Sequence, residues 1–199
     1  MNGGWDAWTP TAAFYDTRDS LSFLFAILGL NPFFLLVFLS GLASAAHFRQ
    51  QTPAIILLLG LSYNTLLNVF LKRFFRSPRP LHPAKGSFDF GVPSAHGMPS
   101  DHAQFMFFFV TWLMRRAALT GVPMSLGMRA FLIFSALAVS YGRVYNSHHY
   151  PSQVVVGALI GVANAYLCTT PIGEAVLRQV AVAVTPMRDF FTEWVRFVV

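Results

Sequence analysis

A chain of 199 residues has room for one domain, and at 55% hydrophobic and only 11% charged it lies far outside the range of ordinary soluble domains. Its 21 phenylalanines and recurring apolar stretches of about 17 to 25 residues, enough to cross a hydrocarbon core of about 30 Å as helix, place it in a bilayer. The formal charge of +6 is compatible with nucleic acid, an anionic membrane surface or an anionic substrate, but Lys72, Arg73, Arg76, Arg79 and Lys85 crowd into one loop. A single cysteine, Cys168, excludes intramolecular disulfides and thiolate zinc clusters.

Residues 1–20 are polar and aromatic, with neither a basic start nor a cleavage site, so no removable signal peptide is expected and the first span serves as the targeting signal. Residues 21–46 form an apolar span interrupted by Asn31 and Pro32, which predicts one kinked or broken helix. A second span covers about 54–71 and carries Asn64 and Asn68 four residues apart, on one face, as interhelical glue pointing into the bundle. The stretch from Lys72 to Ser100 is a loop rich in Pro, Gly, Ser and His. Residues 103–114 are apolar, but twelve residues make only about 18 Å of helix. The third span must therefore extend past Arg115 and Arg116, which snorkel, and back over Ser100, Asp101 and His102. The fourth and fifth spans cover about 129–143 and 151–170. Beyond them Arg178, Arg188 and Arg196 lie among apolar residues, as in an amphipathic interfacial helix or a sixth span. Trp5, Trp8, Trp112 and Trp194 are expected at the membrane interface. The expected architecture is an all-α polytopic transmembrane helix bundle of about five spans, within a range of four to six, plus a C-terminal amphipathic helix. It forms a single membrane-embedded domain, 1–199, with its core at about 21–170.

A chain that alternates sides at each crossing puts the end of span two, the start of span three and the junction of spans four and five on one membrane face. The basic loop, the Ser100–His102 turn and Arg143, His148 and His149 therefore converge. The remaining basic residues, from Arg49 to Arg196, fall on the opposite face, which the positive-inside rule makes cytosolic once the clustered cations are discounted as chemistry.

Three motifs occupy that shared face: KRFFRSPRP from Lys72 to Pro80, MPSDHAQ from Met98 to Gln104, and RVYNSHHYPSQ from Arg143 to Gln153. Together they resemble the type 2 phosphatidic acid phosphatase superfamily, whose pattern is K-x6-RP, PSGH and SR-x5-H-x3-D. A second PSxH string at Pro93 to His96 is loop, because only Pro99 to His102 runs directly into an apolar helix. The residue types suit phosphoryl transfer. Lys72, Arg79 and Arg143 supply cations for the nonbridging oxygens, the arginines in bidentate fashion. Ser100 and the backbone N–H groups of Asp101 and His102 add donors at a helix start. The resemblance implies that His149 is the nucleophile, giving a phosphohistidine, and that His102 is the general acid for the leaving oxygen. Side-chain cations leave no need for a metal or other cofactor. Asp101 is either a helix N-terminal carboxylate or a group that tunes His102, and Arg73, Arg76 and Lys85 either touch substrate or form a solvated face. His148 is a neighbour of the nucleophile.

Two positions depart from the pattern: Gly142 replaces the Ser of the SR pair, and Gln153 stands where the superfamily has Asp. A Gln carbonyl oxygen still accepts a hydrogen bond from His149 and orients it, but it cannot neutralise a developing imidazolium. A weaker nucleophile suits a better leaving group, hence a diphosphate. Gln153 together with GMPSDHAQFM resembles the dolichyl diphosphate phosphatase branch. That resemblance implies a polyprenyl or dolichyl diphosphate substrate, a place in the endoplasmic reticulum membrane with the site facing the lumen, and recycling of the carrier lipid for N-glycosylation. It implies no nucleic-acid partner. The alternatives are an undecaprenyl diphosphate or lipid monoester phosphatase and an inactive polyprenyl-phosphate-binding scaffold.

Overall fold

The computed structural model describes residues 5–8, 13–44, 51–81 and 96–198. Arg49, Lys85 and the first three residues of the Pro93 to His96 string lie outside them, as do the side chains of Trp5, Trp8, Arg188 and Arg196. The described residues form a hairpin and seven helices. They are β1 (Trp5–Trp8), β2 (Ala13–Asp16), α1 (Ser20–Leu28), α2 (Asn31–Ser44), α3 (Gln51–Phe75), α4 (Asp101–Thr120), α5 (Leu126–Tyr145), α6 (Pro151–Cys168) and α7 (Pro171–Val198). The strands pair antiparallel, Trp5 opposite Asp16. This hairpin was not expected: its aromatic residues suit strands, but four residues are too few for a periodicity to declare itself.

The first span is broken where the sequence predicts. Asp19 caps α1 by accepting from the Leu21 N–H at 2.9 Å. The chain turns at Gly29 and Leu30, and Pro32 sits in the first turn of α2, where its missing N–H has no intrahelical partner to lose. At 25 residues α3 outruns its apolar stretch and carries Lys72 in its last turn. α4 extends in both directions from its short apolar segment to 20 residues, about 30 Å of helix. Three helical stretches, Ser20–Ser44, Thr52–Phe75 and Pro151–Cys168, are long and apolar enough to span a membrane by composition alone.

The bundle is apolar outside and partly polar inside, the inverse of a soluble protein. Phe34, Phe38, Leu66, Phe70, Phe134 and Leu159 are exposed on its flanks, whereas Asn64, Asn68, Gln104 and Asn164 are buried with Phe108, Leu61 and Val139. α4 packs most extensively on α6. Gly157 and Gly161, one turn apart on α6, permit this, since a Cβ on either would run into the α4 backbone at Ser100 or Gln104.

The buried amides bind three helices together. Gln104 Nε2 donates to the Asn64 carbonyl at 2.8 Å and to Asn64 Oδ1 at 3.0 Å. Asn68 Nδ2 donates to Gln104 Oε1 at 2.8 Å, and Asn164 Nδ2 donates to Asn64 Oδ1 at 2.9 Å. Asn64 and Asn68 thus act as interhelical glue, with partners on α4 and α6 that the sequence did not reveal.

At the far end of the bundle Arg115 and Arg116 are held rather than snorkelling. Arg115 donates to Thr169 Oγ1 at 2.9 Å and lies over the Tyr166 ring, 4.2 Å from its centroid. Arg116 pairs with Glu174 at 2.6 Å, and Glu174 also pairs with Arg178 at 2.6 Å. Trp112, expected at the interface, is buried beside Arg116 because α4 turns that face inward. α7 packs on α3, burying Leu177 and Ala181.

Candidate active site

The three polar segments meet at one end of the bundle. The segment leaving α3 and the segment entering α4 run side by side: Gly97 N–H donates to the Ser77 carbonyl at 2.7 Å, and Pro78 bridges His96 in antiparallel fashion. Asn68 Nδ2 reaches the Pro99 carbonyl at 3.2 Å, which ties the amide ladder to the turn that opens α4. Ser100 N–H donates to the Gln153 carbonyl at 2.9 Å, joining that turn to α6.

The spacing of Arg143 and His149 follows from the turn between α5 and α6. Both His148 N–H and His149 N–H donate to the Arg143 carbonyl, at 2.9 and 3.1 Å, so the chain folds back over the end of its own helix. Ser147 makes the reversal in a left-handed conformation, φ 54°. The two side chains six positions apart in sequence are thereby placed in one site.

Gln153 is fully buried and uses its whole amide. Nε2 donates to Ser77 Oγ at 3.0 Å and to the Pro78 carbonyl at 2.7 Å, while Oε1 faces His149 Nδ1 and Tyr150 N–H, each at 3.2 Å. A carbonyl only accepts, so Pro78 fixes which end of the amide is NH2. Oε1 must then accept from His149, whose Nδ1 carries the proton and whose Nε2 carries the lone pair. Arg79 Nη1 lies 3.4 Å from that Nε2 and donates to the His148 carbonyl at 3.2 Å.

The site is strongly cationic. Lys72, Arg79 and Arg143 all interact electrostatically with the Asp101 carboxylate at the start of α4, and His102, one residue on, interacts with the same three cations and with His149. Burial pushes the Arg79 guanidinium down from its ordinary value, and Asp101 pulls it back. Burial first, then Arg143 and Arg79, push the His149 imidazole down to about 3, against the Gln153 hydrogen bond, so the ring is neutral at pH 7. Ser100 Oγ and Arg143 Nε are buried and have no hydrogen-bond partner among the described residues. Unmet donors of this kind among cations suit an anion. Arg73 and Arg76 are exposed.

The N-terminal segment buttresses the α5–α6 turn. Ser22 Oγ donates to Asn146 Oδ1 at 2.8 Å, and Asn146 Nδ2 returns a bond to the Ser22 carbonyl at 3.0 Å. Tyr145 donates to Asp19 at 2.7 Å, and the Phe14 ring stacks on His148 with centroids 6.2 Å apart. Gly142 has a steric reason: a Cβ there would stand 2.9 Å from Phe25 Cβ of α1. Ser77, Gly97 and Asn146 were not singled out from the sequence, because their roles depend on neighbours 20 to 124 positions away.

A family model described as the PAP2 superfamily matches residues 53–175. The chain is 32% identical to dolichyldiphosphatase 1 of Homo sapiens, over 96% of this chain and 82% of that protein. It is 30% identical to dolichyldiphosphatase of Saccharomyces cerevisiae, over 79% and 66%. It is 31% identical to lipid phosphate phosphatase gamma of Arabidopsis thaliana, over 77% and 67%. No solved structure matches.

Proposed function

The chain belongs to the PAP2 superfamily, and from that premise we propose that it hydrolyses dolichyl or a related polyprenyl diphosphate to the lipid monophosphate and inorganic phosphate. One observation carries the proposal: His149, with its lone pair on Nε2, interacts electrostatically with Arg143, Arg79 and Lys72, and the α4 turn tied to Gln153 carries the unpartnered Ser100 hydroxyl.

In this mechanism Nε2 of His149 attacks the terminal phosphorus in line with the bridging oxygen. The N–P bond forms as the P–O bond breaks, and the electron pair leaves with the lipid monophosphate. His102, at the start of α4, donates the proton to that oxygen. Arg79, Arg143, Lys72, Ser100 Oγ and the first N–H groups of α4 hold the three nonbridging oxygens. Losing one such preorganised donor typically removes about 2.7–4 kcal/mol of transition-state stabilisation. His102, now unprotonated, takes a proton from water, whose oxygen attacks phosphorus and returns His149 with free phosphate.

The neutral Gln153 favours a diphosphate over a monoester. It orients the imidazole without neutralising the imidazolium, so the step needs a phosphate rather than an alkoxide as leaving group. Dolichyl diphosphate also agrees with the names of the relatives and with Gln153 itself. The site faces the lumen of the endoplasmic reticulum, where the reaction returns the glycan carrier for N-glycosylation.

The test is phosphate release by the purified, EDTA-treated protein in detergent, with dolichyl diphosphate, dolichyl phosphate and phosphatidic acid as substrates and His149→Ala as control. Selective release from the diphosphate that disappears in the variant is expected. Faster turnover of the monoester would overturn the substrate assignment, and no release from any lipid by the folded protein would overturn the activity.

A further inference from the structure

We infer that Gln153 is a positioning residue for Arg79 as well as for His149. Its NH2 group clamps the Ser77–Pro78 segment, which the aspartate usual in the superfamily has no donors to do. The inference rests on the proposed reaction and gives this chain's departure from the pattern a positioning role beside its weaker support of the imidazolium.

All four hydrogen bonds of the amide are made, two on each end, and the residue has 0% exposure. Its NH2 holds the hydroxyl of Ser77 and the carbonyl of Pro78, the residue directly before Arg79. That backbone carbonyl has a fixed place, so the clamp determines where the Arg79 side chain starts. Arg79 in turn reaches the His148 carbonyl and His149 Nε2. One side chain therefore sets both a phosphate-binding cation and the nucleophile, and the backbone carbonyl of the same residue holds the Ser100 N–H at 2.9 Å as well.

The surroundings are shaped for this amide. A Cβ on Gly97 would collide with the Gln153 amide, so the space of the missing side chain is occupied by Gln153. An aspartate is one methylene shorter and carries only acceptors. Turned toward Pro78 it would place a carboxylate against a carbonyl with no proton between them, and turned toward His149 it would leave the Ser77–Pro78 segment untethered.

Gln153→Glu separates the two roles. Glutamate keeps the side-chain length and an acceptor for His149 Nδ1–H, and adds the charge that stabilises an imidazolium, but it loses both donors. A residue serving His149 alone would give a Glu variant as active as the parent or more so. The clamp predicts instead that kcat/KM on dolichyl diphosphate falls about 10²-fold, with KM raised, the effect of a cation displaced by about 1 Å. The loss shrinks toward acid pH, where a protonated carboxyl again donates to Pro78. In an Arg79→Ala background Gln153→Glu adds little further loss, because the group it positions is gone. Ser77→Ala, a milder change, loses activity in the same direction by several-fold. Hydrogen exchange at the Gly97 amide, which rises in Gln153→Glu, reads the clamp without turnover, so it decides the inference even if no lipid is hydrolysed. A Glu variant matching the parent, losses that multiply independently with Arg79→Ala, or unchanged exchange at Gly97 would each overturn the clamp while leaving the proposed reaction standing.

Discussion

Two clusters of buried polar groups share this bundle and differ in how they are satisfied. In the amide ladder of Asn64, Asn68, Gln104 and Asn164, neutral side chains bond to one another across α3, α4 and α6. At the site end the groups are mostly charged, and Ser100 Oγ and Arg143 Nε have no partner among the described residues. A buried donor left unmet costs about 1–3 kcal/mol. Unmet donors at the site end are what a bound anion would satisfy, whereas a ladder that closes on itself holds helices together. The link between the two is Asn68, which bonds to both Gln104 and the Pro99 carbonyl next to Ser100.

Replacing Arg143 sharpens that contrast most. Arg143→Ala removes a cation and a buried unmet donor together, so phosphate release is expected to fall about 10²- to 10³-fold, while the melting temperature in detergent holds or rises. A folded variant that keeps its rate would place Arg143 outside the machinery, and a large drop in melting temperature would make it a structural residue.

Gln104→Leu should do the reverse. It leaves Asn64 and Asn68 short of partners in an apolar interior, and stability in detergent is expected to fall by about 1–3 kcal/mol. Activity per folded molecule should stay within several-fold, because Asn68 keeps its bond to Pro99. A loss of rate as large as that of Arg143→Ala, without a change in melting temperature, would erase the distinction between ladder and site.

The ladder and the site were unequally legible in the sequence, for physical reasons. Helix spans follow from apolar runs, and the convergence of Lys72, Ser100, His102 and Arg143 follows from counting crossings, since alternation of sides is a constraint that needs no contact information. Asn64 and Asn68 advertise a buried face by their four-residue spacing, but their partners Gln104 and Asn164 lie between 36 and 100 positions away and leave no local trace. The hairpin, Ser22 and Asn146 were hidden for the same reason. Gln153 stood out only through its departure from a pattern, and that comparison exposed the acceptor end of its amide without the donor end.

Gly142 marks where the N-terminal segment, outside the family match, presses on the site. Gly142→Ser restores the residue of the common pattern, yet its Cβ would meet Phe25 at 2.9 Å. Stability should fall by about 1–3 kcal/mol, the range for overpacking, and Phe25→Ala in the same chain should recover part of it. A Ser variant as stable as the parent would mean that α1 yields, and that the buttress of the α5–α6 turn is looser than the contacts of Ser22 and Asn146 imply.

The smallest effect is one of shape, carried by His149. Its imidazole titrates at about 3 in the folded chain against 6.5 in the free side chain, with burial the first cause. Between those values the unfolded chain binds the proton and the folded chain does not, so the contribution of this group to stability is complete above about 6.5 and is lost as pH falls toward 3. Melting temperatures of the parent and His149→Asn, followed from pH 7 downward, should diverge in that sense, the parent losing stability faster while the variant lacks this component. The ladder has no titratable member, so Gln104→Leu should shift the whole curve without changing its slope. Parallel curves for the parent and His149→Asn would mean that His149 is not held neutral by its surroundings, and would remove the reason for expecting an unprotonated Nε2 at acid pH.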